Sequence, residues 1–127
     1  MVVIITLHEL DFARLNGQVT ALQSILSSML KIKPIVVLKD GMLTIGDKVR
    51  TRQRALEKVL DIVKEKVGTR QILLAVVHAA DLNTARILME HAKKVMNVSE
   101  AILTELAIPV AANLGPGTVG IVAIPLE

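Results

Sequence analysis

The sequence predicts a single α/β domain built on a mixed sheet, and three observations carry that prediction. Runs of apolar, β-branched residues alternate with stretches whose apolar residues recur at helical spacing. Asp40-Gly41 lies between two strand-like runs, and this dipeptide favours a tight antiparallel hairpin. The chain of 127 residues is long enough for one domain with a core and too short for two. We therefore expect residues 1–127 to form one α/β sandwich.

The first half of the chain contains three predicted strands and two predicted helices. Residues 2–7 form a continuous apolar run, which indicates a strand. Residues 9–15 and 19–30 are predicted helices, and the second has one apolar face and one polar face without charge. Such a face is covered by another part of the protein, or the helix lies in the middle of the domain. Residues 32–38 and 42–45 are the two strands of the predicted hairpin.

The second half contains two helices and three strands. Residues 51–67 carry a clear apolar stripe and are followed by Gly68, which is a common residue after a helix. Residues 72–77 are all apolar, so we expect a central strand covered on both faces. Asp81 or Asn83 caps a helix that runs to about residue 95, and residues 98–106 and 119–124 are further strands. The inward residues predicted for this helix are Ile87, Leu88 and Ala92.

Composition excludes several classes of function. No apolar run reaches the roughly 18 residues that a membrane helix needs, and residues 1–8 lack the cationic start of a signal peptide. The chain has no cysteine, which excludes disulfides and is typical of a cytoplasmic protein. With a net charge of +3 and Phe12 as the only aromatic residue, it offers no surface for stacking bases. We expect no nucleic-acid binding.

The turn Gly115-Pro116-Gly117 is the first candidate site. Glycine adopts positive φ without cost and proline fixes φ, so few other sequences could follow this path. Asn113 and Thr118 flank the turn, and a buried strand follows it. A rigid turn at a strand end can hold a small anion on its backbone amides. The alternative is a tight connection without a ligand.

Two further groups of residues are candidates for chemistry. Lys48, Arg50, Arg52 and Arg54 lie at the start of the long helix, where cations oppose the helix dipole. They fit a phosphate, a carboxylate or an acidic partner better than a role in the fold, although a solvated basic helix end is the alternative. His78 ends a strand and precedes Asp81, but a hydrogen-bonded loop histidine and a helix cap explain this pair equally well. We expect no enzyme, cofactor or metal site.

Several segments occur in one order that resembles the C-terminal lobe of the DegV family of fatty-acid-binding proteins. They span nearly the whole chain: Leu10-Asp-Phe-Ala-Arg-Leu-Asn-Gly17, Leu30-Lys-Ile-Lys-Pro-Ile35, Lys39-Asp-Gly41, Lys48-Val-Arg-Thr-Arg52, Val76-Val-His-Ala79 and Gly115-Pro-Gly-Thr118-Val-Gly120. The resemblance implies an α/β lobe that encloses an acyl tail. In that family a separate N-terminal lobe supplies hydroxyls for the carboxylate, and bacterial members present the acid to a fatty-acid kinase. No part of this chain corresponds to the N-terminal lobe, so we expect either a piece of a longer protein or a free-standing lobe.

The resemblance also implies which residues bind. We expect the ligand to meet Gln18, Ile25, Leu26, Met29, Ile35, Asn113, Leu114, Gly115 and Thr118. Asn113 and Gln18 replace a histidine and an arginine of the family, which leaves only neutral donors for a head group. Arg50, Arg52 and Arg54 match the surface that meets the kinase. The leading hypothesis is thus a lipid-binding lobe that self-associates or pairs with an N-terminal lobe. The alternative is a non-catalytic interaction module without a ligand.

Overall fold

A computed structural model describes residues 1–8, 33–107 and 114–126 of the chain. The predicted helices at residues 9–15 and 19–30 lie outside these ranges. The elements, in chain order, are β1 (Val2–Thr6), β2 (Lys33–Lys39), β3 (Met42–Val49), α1 (Arg52–Val67), β4 (Ile72–His78), α2 (Leu82–Val95), β5 (Val98–Glu105) and β6 (Val119–Pro125). Each predicted element within the described ranges is present, and β3 extends beyond its predicted end.

The six strands form one sheet in the order β3-β2-β1-β6-β4-β5. Only β4 and β5 pair in parallel, and every other neighbouring pair is antiparallel. The predicted mixed sheet is therefore confirmed. The last strand, β6, inserts between β1 and β4, so the two ends of the described chain meet at the centre of the sheet.

Local sequence signals explain where the helices and the hairpin start and stop. The Thr51 side chain accepts a hydrogen bond from the backbone N–H of Arg54 at 3.1 Å, which caps α1. Gly68 ends α1 at a φ of 62°. At the hairpin, Asp40 and Gly41 have φ values of 53° and 78°, as a primed turn requires.

The main core lies between the sheet and the two helices, which pack on one of its faces. It is built from fully buried aliphatic residues of the strands and from the apolar stripes of α1 and α2. A smaller cluster occupies the opposite face near β1 and β2, and its buried members are Ile5, Leu7, Val36 and Leu114. The two faces of the sheet are therefore covered unequally within the described residues.

Two predictions about burial are wrong. Ile87 was expected to face inward, but it is 53% exposed on α2, while Leu88 and Ala92 are buried as predicted. The apolar β4 was expected to be covered on both faces, but its residues alternate between buried and half-buried. Its buried residues face the helices, and its half-buried ones lie on the other face.

Candidate functional site

One edge of the sheet collects the residues that the sequence singled out. Thr6 at the end of β1 pairs with Val119 at the start of β6, and Val119 also pairs with His78 at the end of β4. Both helices begin at this edge, since α1 follows β3 and α2 follows β4. The loop with Gly115-Pro116-Gly117 lies here because it leads into β6. We name this edge, with residues 78–81 and 114–118, the turn edge.

The glycines of the turn adopt the conformation that the sequence predicts. Gly115 and Gly117 have φ values of 93° and 86°, which side-chain-bearing residues rarely reach. The Gly117 N–H donates to the Ala79 carbonyl at 2.7 Å, and the Ala79 N–H donates to the Thr118 carbonyl at 2.9 Å. The turn is therefore tied by backbone hydrogen bonds to the loop between β4 and α2.

Thr118 and Gly117 both make close contacts inside the protein. Thr118 is fully buried, and its hydroxyl donates to the Leu114 carbonyl at 3.1 Å. A carboxylate only accepts hydrogen bonds, so this hydroxyl proton is already used by the turn. A Cβ on Gly117 would lie 2.7 Å from the Cβ of His8, so the turn packs closely against the second residue after β1.

Arg52 differs from the other cations at the start of α1. Its Nη2 donates to Oδ2 of Asp81 at 2.9 Å and also to the Gly117 carbonyl. The prediction that Arg52 takes no part in the fold is therefore wrong. Within the described ranges, its Nη1 is the one buried side-chain nitrogen or oxygen atom without a hydrogen-bond partner.

Asp81 caps α2 and also holds Arg52. One of its carboxylate oxygens accepts from the Thr84 N–H at 3.3 Å. Burial opposes ionisation, but the hydrogen bonds from Thr84 and Arg52 outweigh it and keep the pKa of Asp81 below its ordinary value. His78 is buried and accepts a hydrogen bond from the Asp81 N–H on Nδ1 at 3.2 Å. The pair that the sequence singled out thus shapes the loop before α2.

Arg50, Arg54 and Lys33 are further cations in the segments that meet at this end of the sheet. Arg50 and Arg54 are exposed, and neither forms an ion pair with any residue of the described ranges. Lys33, at the start of β2, donates from Nζ to the His8 carbonyl at 2.7 Å. Sequence reasoning missed Lys33, because its partner is 25 positions away and no local pattern connects the two residues.

The sheet face opposite the helices carries an apolar surface over β6, β4 and β5. We name it the open face and define it by five residues: Leu73, Ala75, Ile102, Val122 and Ile124. Ile102 and Ile124 are 60% and 44% exposed. A cavity of about 240 Å³ lies among these residues, with Glu100 as the charged residue at its wall. The continuous apolar run of β4 is the sequence signal for this face, although the run by itself predicts burial on both sides.

The predicted tail-binding residues are not all brought together. Ile35 belongs to the core under the helices, whereas Leu114 belongs to the cluster on the opposite face. Ile35 and Leu114 therefore lie on opposite faces of the sheet, and their predicted contact with one tail stays a prediction. The other predicted ligand-binding residues outside the turn lie outside the described residues, namely Gln18, Ile25, Leu26, Met29 and Asn113.

Two kinds of site are not found in the described residues. No group of three or more histidine, aspartate or glutamate side chains in residues 1–8, 33–107 and 114–126 is arranged to hold a metal ion. In the same ranges, neither helix has the length and apolarity to span a bilayer. What remains is a polar turn edge beside an apolar open face.

Solved structures with this fold come from several bacteria. A fatty acid binding DegV family protein from Streptococcus agalactiae superposes with a TM-score of 0.88 at 24% identity, over 99% of this chain and 45% of that one. A DegV family protein from Thermus thermophilus, described by its fatty acid binding, is 27% identical with a TM-score of 0.85. That match covers 98% of this chain and 45% of the other. The predicted α/β fold is therefore confirmed.

Sequence comparison points the same way. A DegV domain-containing protein of Deinococcus radiodurans is 30% identical over 126 residues, which cover 96% of this chain and 44% of the relative. A second relative, from Clostridium perfringens, is 29% identical over 113 residues, or 40% of its length. The chain thus spans less than half the length of these curated relatives. The profile described as "Uncharacterised protein, DegV family" matches residues 1–126. With its fold and ordered motifs in agreement, the chain belongs to the DegV family.

Proposed function

We propose that this lobe binds a fatty acid, with the tail on the open face and the head group at the turn edge. The observation that supports it most directly is the exposed apolar surface of the sheet, with Ile102 on β5 and Ile124 on β6. An apolar patch rimmed by polar residues is typical of a binding surface. The fatty acid binding described for the Thermus thermophilus relative agrees with this chemistry.

The tail supplies most of the expected affinity. Burial of one methylene contributes about 0.8 kcal/mol, so ten methylenes contribute about 8 kcal/mol before the cost of ordering the chain. Leu114 supports a path between the two ends of the ligand. It lies in the loop of the turn edge and packs against Ile5 and Leu7 on the same face of the sheet as the open face. Ile25, Leu26 and Met29 remain proposed tail contacts.

The head group meets mostly neutral donors. Asn113 and Gln18 are proposed to donate hydrogen bonds, each adding about 0.5–1.5 kcal/mol net. Gly115 contributes through the backbone of the turn. Lys33 is half-buried near this edge, and no carboxylate of the described residues forms an ion pair with it. The head group therefore contributes more to the orientation of the ligand than to its affinity.

Lipid content of the purified chain tests the proposal. Denaturing extraction and mass spectrometry should release fatty acid, and the delipidated chain should bind hexadecanoic acid and hexadecanol in a titration. Ala75→Trp places a bulky ring on the open face and should abolish binding of both. The matched control is Ile87→Trp on the exposed face of α2, which should leave binding unchanged.

Two outcomes would contradict the proposal. If the Ala75→Trp variant still binds these ligands, the tail does not lie on the open face. Absence of any lipid binding by a folded chain would favour the alternative, an interaction module that pairs through the same exposed apolar residues. A tight dimer that binds neither hexadecanoic acid nor hexadecanol is the result which that alternative predicts.

We further propose that the loaded lobe presents its ligand to a fatty-acid kinase through Arg50 and Arg54. Both side chains are exposed, and the structure leaves them without ion pairs in its described ranges. Free guanidinium groups at an exposed site fit an acidic partner surface. The double variant Arg50→Gln/Arg54→Gln tests this. Such a kinase should transfer phosphate to the bound acid more slowly with the variant, whose affinity for the fatty acid should be unchanged.

A further inference from the structure

The Arg52 side chain joins three separate parts of the turn edge. Arg52 is the first residue of α1, Asp81 caps α2, and Gly117 lies in the turn before β6. A single nitrogen, Nη2, donates to Oδ2 of Asp81 at 2.9 Å and to the carbonyl of Gly117. The starts of both helices and the turn are therefore connected through one guanidinium group.

We propose that Arg52 is a positioning residue for the head-group end of the site. It holds the Gly115–Gly117 turn against the start of α2, in the orientation that the bound ligand meets. This proposal rests on the fatty-acid-binding function above. It also separates Arg52 from Arg50 and Arg54, whose exposed side chains form no ion pair among the described residues.

Asp81 is itself held firmly, so it can serve as the fixed point of this arrangement. Its N–H donates to the buried ring of His78, and its second oxygen accepts from the Thr84 N–H. Because Arg52 donates to both Asp81 and the Gly117 carbonyl, it fixes the turn relative to the start of α2. The planar guanidinium group carries donors at set angles, which a lysine ammonium on a flexible stem cannot reproduce.

The ion pair between Arg52 and Asp81 indicates that Arg52 orients the ligand and does not attract it. The Arg52 and Asp81 side chains are 21% and 27% exposed, and their opposite charges lie in contact. The pair presents little net charge to a carboxylate at the turn edge. Loss of Arg52 should therefore weaken binding of an acid and of the matched alcohol by the same factor.

The buried Nη1 of Arg52 also points to a role beyond stability. It has no partner among the described residues, and an unpaired buried donor is unfavourable. A side chain selected only for stability would be expected to satisfy both nitrogens or to lie in solvent. The position of the guanidinium group is instead determined by the two acceptors of Nη2, which are Oδ2 of Asp81 and the Gly117 carbonyl.

Three variants of the full chain test the proposal by affinity and by amide hydrogen exchange. Arg52→Gln should weaken binding of hexadecanoic acid and of hexadecanol alike, by about five- to tenfold. Exchange of the Gly117 N–H, which is bonded to the Ala79 carbonyl, should accelerate while the Ile121 N–H in β6 stays protected. Arg52→Lys should restore binding only in part. The control Arg86→Gln, an exposed arginine on α2, should match the unmodified chain.

Each other outcome overturns the proposal in a distinct way. Selective loss of the acid would mean that Arg52 contacts the head group directly. Uniform acceleration of exchange across the sheet would mean that Arg52 acts only on global stability, and full recovery in Arg52→Lys would mean that charge alone suffices. If the unmodified chain binds no lipid, the proposed function fails, but the exchange of Gly117 still reports whether Arg52 restrains the turn.

Discussion

Replacing Gly117 by alanine tests the close contact at the turn edge. The φ of Gly117 is 86°, and the left-handed region costs an ordinary residue about 1–2 kcal/mol. The new Cβ would also lie 2.7 Å from the Cβ and 2.9 Å from Cγ and Cδ2 of His8. Carbon atoms prefer about 3.5–4.0 Å, so His8 or the turn must move.

The steric part of this cost can be estimated from overpacked cores, where an inserted group costs about 1–3 kcal/mol. His8 cannot withdraw freely, because Lys33 donates to its carbonyl at 2.7 Å. The two contributions together predict a loss of about 2–5 kcal/mol for Gly117→Ala. For a domain of this size, each kcal/mol lowers the melting temperature by about 3–6 °C.

The matched control is Gly41→Ala in the hairpin between β2 and β3. Its φ is 78°, but no atom lies within 4 Å of the new Cβ, so only the backbone cost of about 1–2 kcal/mol applies. Urea and thermal unfolding followed by circular dichroism measure both variants. Gly117→Ala should be the less stable of the two by about 1–3 kcal/mol. Equal losses would refute the contact between the turn and His8.

Three further predictions concern charge and association. The pKa of Asp81 is lowered by folding, so its contribution to stability is complete above the ordinary value of 3.8 and is lost as the pH falls through the lower folded pKa. Urea unfolding of Asp81→Asn should therefore depend less on pH in this acid range than the unmodified chain does. Arg54→Gln should leave stability equal or raise it by about 0.3–1 kcal/mol, because a cation near the start of α1 opposes the helix dipole; a clear drop in melting temperature would show a structural role. The lobe without ligand should self-associate through its exposed apolar surface, and Ile102→Lys should shift light scattering towards the monomer.

The order of elements could be predicted because each has a strong local signal. The apolar stripe of α1, its cap Thr51 and the terminating Gly68 all lie within one stretch of chain. The hairpin likewise follows from Asp40-Gly41. Strand order could not be predicted in the same way, because the placement of β6 between β1 and β4 depends on pairing between distant parts of the chain.

The parts of the site also differ in whether a local sequence signal or a contact between distant residues determines them. The turn was predicted because two glycines and a proline in sequence already restrict the backbone. The role of Arg52 was not, because its partners Asp81 and Gly117 are 29 and 65 positions away. Sequence alone shows a run of cations at the start of α1 and does not distinguish the one that is used internally. The ion pair with Asp81 makes that distinction.

The exposed surface of β4 shows a second limit. Leu73 and Ala75 are apolar, like their neighbours Leu74 and Val76, so the run indicates burial on both faces. Apolar composition reports that a face must be shielded from water, but it does not report which molecule provides the shield. The structure shows that α1 and α2 cover one face and that the described residues leave Ile102 and Ile124 exposed on the other.

Under the proposed function, the two halves of the site should contribute unequally to binding. At the turn edge, Arg52 is neutralised by Asp81, the Thr118 hydroxyl is bonded to Leu114, and the proposed donor Asn113 is uncharged. Apart from Lys33, these groups leave little binding energy for a carboxylate, since a neutral hydrogen bond adds only about 0.5–1.5 kcal/mol. The open face offers burial that grows by about 0.8 kcal/mol with each methylene. A ligand held in this way is selected by the length of its tail, while the turn edge determines which end of the molecule faces outward.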